Sequence, residues 1–97
     1  MKNIEIWNDF SDEIISRLDS PIKNSLEILE ISKSISEKLE IFQQISLVNL
    51  IQIIWWRKTK NKVLVKELEN LKYLLRKNIQ PRLGWEITFL KISMENL

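Results

Sequence analysis

A narrow seam of apolar side chains in the second half of the chain restricts the possible fold more than any other feature. Between Leu64 and Ile79 an apolar side chain recurs at steps of three or four residues, which is the spacing of one face of an α-helix. The seam consists of Leu64, Leu68, Leu71, Leu75 and Ile79. Such a seam suits antiparallel packing against a neighbouring helix. The pattern predicts a helix over 62–79 that pairs with the preceding helix across a polar turn at 59–61.

Helical spacing also extends through the first half of the chain. Apolar residues at three- and four-residue steps predict an amphipathic helix over about 4–19. A second stripe runs without a gap from Ile28 to Phe42. This stripe favours one long helix over 21–57, with an optional hinge at 32–36. The long helix would start at a proline, which is tolerated in the first helical turn.

The serine-rich middle of that long helix allows a second interpretation. Ser34 and Glu37 have the spacing of a capping box, in which the two side chains satisfy the first free backbone N–H groups of a helix. Ordinary helices run for about 8–20 residues, so a break here fits the usual lengths. The uninterrupted apolar stripe favours the continuous helix.

The last segment is ambiguous by pattern. Apolar residues alternate from Trp85 to Phe89 like those of a strand, whereas from Ile87 to Leu97 they step like those of a helix. Because two short strands alone are marginally stable, we predict a helix over 85–96. The complete prediction is an all-α fold, formed by a small helical bundle with a long central helix and an antiparallel helical hairpin. One domain is expected over 1–97.

Composition excludes most kinds of active site. The chain has no His, no Cys and one Gly. It therefore lacks an imidazole base, a thiolate nucleophile, the usual zinc ligands and disulfides. A single Gly also excludes a glycine-rich phosphate loop. We predict no catalytic residue, no metal site and no cofactor, and hence a non-enzymatic protein that acts by binding.

The apolar segment 41–56 raises the question of a membrane span. Its two final tryptophans are followed by Arg57 and Lys58, an order typical of a membrane boundary. The segment is shorter than the roughly twenty residues that a span needs, and it contains polar residues such as Gln43 and Gln44. The N-terminus also lacks the apolar stretch of a signal peptide. We expect a buried helix in a cytoplasmic protein, with a membrane-surface helix as a less favoured alternative.

Positive charge is concentrated between residues 57 and 82. That stretch has nine basic side chains against Glu67 and Glu69, although the whole chain has a net charge of only +2. Clustered cations neutralise phosphates, and aromatic faces stack on bases. The candidate nucleic-acid-binding residues are Arg57, Lys58, Lys60, Lys62, Lys66, Lys72, Tyr73, Arg76, Lys77 and Arg82. The alternative is that these cations keep the surface soluble or neutralise the acidic first half of the chain.

Some apolar side chains lie on faces that a small bundle cannot cover. The stretch 45–54 is apolar nearly all round, and three residues of the long helix face away from its main stripe. Leftover apolar faces indicate a homo-oligomer or a protein partner. The candidate interface residues are Ile22, Leu26, Leu29, Trp55 and Trp56. For the two tryptophans, packing in the core is the alternative.

Three stretches resemble the middle helices of a known bundle family. They are Glu37-Lys38-Leu39-Glu40, then Leu50-Ile51-Gln52 with Trp55 and Arg57, then Leu68-Glu69-Asn70-Leu71-Lys72-Tyr73-Leu74-Leu75-Arg76. Trp85-Glu86 is similar to an aromatic–Glu pair that opens the last helix of that family. The family comprises the accessory variability proteins of diversity-generating retroelements and the related proteins of ribosomal-RNA intervening sequences. The resemblance covers 37–97, without the family's Gly-Gly-Trp ending. It implies a basic homo-oligomeric four-helix bundle that assists a reverse transcriptase and contacts nucleic acid without catalysis.

The charge pattern and the leftover apolar faces predict two different functions. The first is an accessory or adaptor protein that binds RNA or DNA, or a nucleic-acid-processing partner, through the basic surface at 57–82. The second is a protein–protein interaction module, such as an inhibitor, an immunity protein or a toxin–antitoxin component, that docks a partner through its apolar helix faces.

Overall fold

The computed structural model describes residues 12–95, and within that range it consists of helices and short connections. The helices are α1 (Asp12–Arg17), α2 (Ser25–Lys38), α3 (Ile41–Thr59), α4 (Lys62–Arg76) and α5 (Pro81–Ser93). The predicted all-α fold is confirmed, and the described part of the chain has no strand. The beginning of the helix predicted over 4–19 lies outside the described residues. None of the helices in the described range is long and apolar enough to cross a membrane.

The helices pack around one apolar core. α3 packs along α4, α5 packs on both α2 and α4, and α1 rests against α2. The predicted seam forms the core face of α4, because Leu64, Leu68, Leu71 and Leu75 are fully buried. The last residue of the predicted seam is not part of this core face. The helix α4 ends at Arg76, so Ile79 lies beyond it and is 55% exposed.

The predicted long helix over 21–57 is wrong, because two separate helices occupy this range. The first begins at Ser25, not at the proline. Its N-cap is Asn24, whose Oδ1 accepts the backbone N–H of Glu27 at 3.0 Å. The chain then leaves the helical conformation at Leu39 and Glu40. The alternative break at Ser34 is also wrong, because α2 continues past it to Lys38.

A capping box does mark the start of the next helix, but it is formed by other residues. The Glu40 side chain accepts a backbone N–H in the first turn of α3, and Gln43 Oε1 accepts the backbone N–H of Glu40 at 2.9 Å. These reciprocal bonds satisfy donors that have no partner within the helix. The break also ends the predicted stripe, because Leu39 is buried whereas Phe42 is 55% exposed.

The buried side chain of Gln44 bridges this break to the last helix. Its Nε2 donates to the backbone carbonyl of Leu39 at 2.9 Å, and its Oε1 accepts the indole N–H of Trp85 at 2.8 Å. Both groups are inside the protein, where an unpaired polar atom costs free energy. One amide therefore joins the α2–α3 break to α5.

Three aromatic rings fill the centre of the core. Phe89 lies between Trp55 and Trp85, with ring centroids 5.8 Å and 5.3 Å away. The Trp55 Nε1–H donates to the backbone carbonyl of Leu18 at 2.7 Å. This bond ties the end of α1 to α3, so both buried indoles have hydrogen-bond acceptors, as aromatic donors usually do in cores.

The link between α4 and α5 combines a helix stop with a helix start. Asn78 adopts a left-handed backbone conformation (φ 54°), which asparagine tolerates better than most residues. The N–H of Ile79 reaches back to the carbonyl of Leu74, as in a Schellman motif. Pro81 then occupies the first turn of α5. The helix predicted over 85–96 therefore forms, but it starts four residues earlier.

Gly84 is buried where α5 contacts α4. A Cβ atom at this position would lie 3.4 Å from the Leu71 Cδ1, an ordinary van der Waals distance, and the backbone needs no positive φ. Space for one methyl group therefore exists.

We predict that Gly84→Ala stabilises the protein by about 0.5–1 kcal/mol, because Ala is the better helix former at a position without a clash. Urea unfolding followed by circular dichroism measures this change in the free energy of unfolding. Gly84→Val serves as the control, since its additional methyl groups should overpack the contact and destabilise the protein. A loss of stability with Ala would show that the α4–α5 contact has no spare room.

We predict that Gln44→Leu destabilises the protein by roughly 2–3 kcal/mol, because it leaves the Leu39 carbonyl and the Trp85 N–H unpaired in the interior. Chemical denaturation measures the difference. Combining Gln44→Leu with Trp85→Phe also removes the unpaired indole donor. The double variant should therefore lose less free energy of unfolding than the sum of the losses in the two single variants. Additive losses would contradict the bridging role.

Candidate binding surface

The turn between α3 and α4 is held by short-range hydrogen bonds. Lys60 has a left-handed backbone (φ 53°), and its N–H donates to the carbonyl of Trp56 at 2.8 Å. Thr59 Oγ1 accepts the N–H of Asn61, whose own Oδ1 accepts the N–H of Val63 at 2.8 Å. The predicted polar turn at 59–61 is confirmed. Because it is so short, it brings the basic end of α3 beside the basic start of α4.

A groove opens to solvent between α3 and α4 beside this turn. It has a volume of about 740 Å³. Its lining residues are Asn49, Gln52, Ile53, Trp56, Arg57, Lys62, Val65 and Lys66. The floor is mainly apolar, and the lining charges are all positive. Sequence reasoning did not single out Ile53 and Val65 as surface residues. For Ile53 on α3, the available signal was that this helix is apolar nearly all round.

Eight of the ten predicted nucleic-acid-binding residues fall into two exposed clusters. Five of them surround the turn and form the turn cluster, which comprises Arg57, Lys58, Lys60, Lys62 and Lys66, all exposed. Tyr73, Arg76 and Lys77 form the terminal cluster at the other end of α4, and they are also exposed. Lys62 and Arg76 are separated by fourteen residues of helix, which corresponds to about 21 Å. The exposed basic surface predicted at 57–82 is therefore divided into two patches, one around the α3–α4 turn and one at the end of α4.

Both clusters place a lysine over an aromatic ring. Lys60 Nζ lies 5.5 Å from the ring centroid of Trp56, and Lys77 Nζ lies 5.4 Å from that of Tyr73. Cation–π contacts of this length contribute up to about 1 kcal/mol at exposed sites. They orient the two ammonium groups without neutralising them.

Two of the exposed predicted cations have carboxylate partners among the described residues. Lys58 Nζ pairs with Asp19 at 2.7 Å, and Arg82 Nε pairs with Glu86 at 3.0 Å. Exposed pairs of this kind are weak, so a polyanion could compete for either cation. They nevertheless reduce the net charge that these residues present to a partner.

Lys72 is not part of the exposed basic surface, which corrects its assignment as a nucleic-acid-binding residue. The residue is only 8% exposed, and its Nζ donates to Asn49 Oδ1 on α3 at 2.8 Å. The same ammonium pairs with Glu69. Hydrogen bonds from Lys72 and then Gln52 hold the pKa of the Glu69 carboxyl below its usual range. This pairing thus favours the folded state at neutral pH, and the benefit is lost as the pH falls through that lowered pKa.

The predicted interface residues divide between core and surface. Ile22 and Trp55 are buried in the core. They are not available to a partner in the folded chain, which corrects their assignment as interface residues. Leu26, Leu29 and Trp56 are exposed as that prediction requires.

Outside the groove, an exposed apolar stripe lies on α5. Sequence reasoning did not assign this stripe to the surface. Its members are Leu83, Ile87, Leu90 and Met94. Their steps of four, three and four residues were visible in the sequence, but the opposite face of α5 is also apolar. Burial was needed to show which of the two faces packs inward.

Among the side chains that the structure describes, no group of three or more acidic, His or Cys residues is arranged to hold a metal ion. What these residues offer instead is an apolar groove with cations at its edge and exposed apolar stripes. Such a surface is suited to binding.

The sequence matches, over residues 1–92, the family described as cyanobacterial DNA polymerase III delta prime, C-terminal domain. The chain belongs to this family. The matched range of this delta prime C-terminal domain includes the groove and both basic clusters. Comparisons with curated proteins and with solved structures found no match. The family match does not test the resemblance to the retroelement accessory proteins, which stays a prediction.

We predict that Lys72→Met destabilises this delta prime C-terminal domain by about 1 kcal/mol. The substitution keeps an unbranched side chain but removes the buried ammonium and its hydrogen bonds to Asn49 and Glu69. Urea unfolding measures the effect. Lys66→Met is the matched control on the same helix; its side chain is exposed, so the change should stay within about 0.5 kcal/mol. Equal effects of the two substitutions would contradict the structural role of Lys72.

Proposed function

We propose that this chain is a non-catalytic binding domain that works in DNA replication as part of a DNA polymerase III assembly. The single observation that carries the proposal is the family match over residues 1–92. A domain of a polymerase subunit acts through contacts with other subunits, so the primary partner is a protein. A role in DNA replication places the site of action in the cytoplasm.

The exposed surface supports a protein partner. Large apolar side chains remain in the α3–α4 groove and on the outer face of α5. Single exposed apolar residues are common on protein surfaces, but a contiguous apolar patch usually marks an interaction site. A hetero-assembly would cover such faces, as would the homo-oligomer predicted from the sequence.

Contact with DNA is a second candidate activity, favoured by the exposed cations of the turn cluster. Arg57, Lys62 and Lys66 are exposed, and none of them has an ion pair with a side chain that the structure describes. When such unpaired cations bind a phosphate backbone, they release its counterions. The affinity for DNA therefore depends strongly on the salt concentration. Within a replication assembly, this contact would support the protein interaction and would not replace it.

The test is reconstitution of the purified chain with the DNA polymerase III subunits of the same host, followed by gel filtration with light scattering. We expect a stoichiometric complex that survives nuclease treatment. A parallel titration with labelled duplex and single-stranded DNA at low and high salt measures the DNA contact. Absence of any complex with the polymerase III proteins would overturn the proposed function. A complex that nuclease abolishes would show that DNA is the primary partner instead.

A further inference from the structure

We propose that the α3–α4 groove binds an acidic amphipathic helix of a partner protein. The inference rests on the proposed function for the identity of that partner, but the chemistry of the occupant follows from the groove itself. Three features define this chemistry: an apolar floor, a rim of one charge, and a shape fixed before binding.

The floor consists of apolar side chains that the fold leaves uncovered. Ile53 is 52% exposed and Trp56 is 36% exposed, although their neighbours Ile51 and Trp55 on α3 are buried. Val65 of α4 completes the floor. The exposed pair on α3 thus faces α4 and solvent, away from the core. Burying these side chains under apolar groups of a partner would be favourable by the hydrophobic effect.

The rim carries positive charge only. Arg57, Lys62 and Lys66 line the groove, and none of its lining residues is acidic. The nearest carboxylate in sequence on that face of α4 is Glu69, which accepts hydrogen bonds from Gln52 and Lys72. A segment with carboxylates flanking its apolar side chains is therefore complementary in charge, and a basic segment is excluded by repulsion.

The groove is fixed in shape before a ligand arrives. Gln52 on α3 donates from Nε2 to the backbone carbonyl of Val65 at 3.1 Å and to Glu69 at 2.9 Å. These bonds join the two helices at the groove, next to the rigid turn at Lys60 and Asn61. Preorganisation reduces the ordering cost of binding.

The secondary structure and the aromatic content favour a helix over other ligands. The described residues present no strand edge to which an extended peptide could add. Single-stranded nucleic acid is usually held by several exposed aromatic faces. Trp56 is the aromatic residue that lines the groove, and Lys60 lies over its ring. A mainly aliphatic floor with a single indole between two helices instead fits helix-in-groove recognition, with anchors spaced by three or four residues.

The experiment measures binding of the full chain to a fluorescein-labelled acidic peptide that has leucines on one helical face and glutamates elsewhere. A scrambled peptide of the same composition and an oligothymidylate serve as alternative probes. Ile53→Glu places a carboxylate on the floor, and Lys66→Glu reverses one charge of the rim. The matched controls are Ile79→Glu and Lys91→Glu, which change exposed residues of the same types outside the groove.

We expect the amphipathic peptide to bind and the scrambled peptide to bind at least about tenfold more weakly. Ile53→Glu should weaken binding about tenfold, and Lys66→Glu about threefold at low salt, with both control variants close to the unchanged protein. The Trp56 indole resonance, assigned by Trp56→Phe, should shift on titration. That shift reports on the groove even if Ile53→Glu loses helical circular dichroism.

Equal binding of the scrambled peptide, or equal effects of the groove and control variants, would overturn the inference. Binding of oligothymidylate in preference to the peptide, with loss in Lys66→Glu and none in Ile53→Glu, would also overturn it and would assign the groove to nucleic acid. If the polymerase III complex forms but Ile53→Glu leaves it intact and no peptide binds, the groove inference fails while the proposed function stands. If the peptide binds as expected but no polymerase III protein does, the proposed function fails and the groove inference stands.

Discussion

The arrangement of the helices depends on the buried amide of Gln44. It binds the carbonyl freed at the α2–α3 break and the indole N–H of a tryptophan on α5 at the same time. Without this acceptor and donor, the break would expose an unpaired carbonyl to the core. With it, the chain can break between the two helices, so that α2 packs on α5 while α3 packs on α4.

The separation of α2 and α3 also creates the surface that the protein offers to partners. As an independent helix, α3 places its buried face on α4 and leaves Ile53 and Trp56 beside the turn. The turn then brings cations from both helices to one end of the groove. Apolar floor and basic rim are thus consequences of one hairpin, and this hairpin lies within the range matched by the delta prime C-terminal domain family.

Most of the fold could be predicted from the sequence, because helical spacing is a strong signal. The seam from Leu64 to Leu75 is the core face of α4, as predicted. The break at Leu39 could not be predicted from spacing, since a short interruption leaves the apolar period nearly unchanged. Its signal was local: Glu40 and Gln43 can cap each other.

The candidate site was less predictable than the fold, because charge in a sequence does not show burial. Lys72 lies four residues after Leu68 and three before Leu75, at the edge of the seam, and this position could have indicated its buried role. Its partner Asn49 is on another helix, so only the three-dimensional structure identifies the pair. Likewise, spacing alone could not decide which of two apolar faces of α5 packs inward.

The left-handed backbone of Lys60 has a further consequence for evolution of the turn. Glycine would adopt this conformation without the roughly 1 kcal/mol that a side chain costs there, yet the position carries a lysine whose ammonium lies over Trp56. A glycine substitution would relieve the backbone and remove the charge, and it would uncover one face of the indole. Local conformational stability and the composition of the groove edge are therefore set by the same residue, and selection cannot improve one without altering the other.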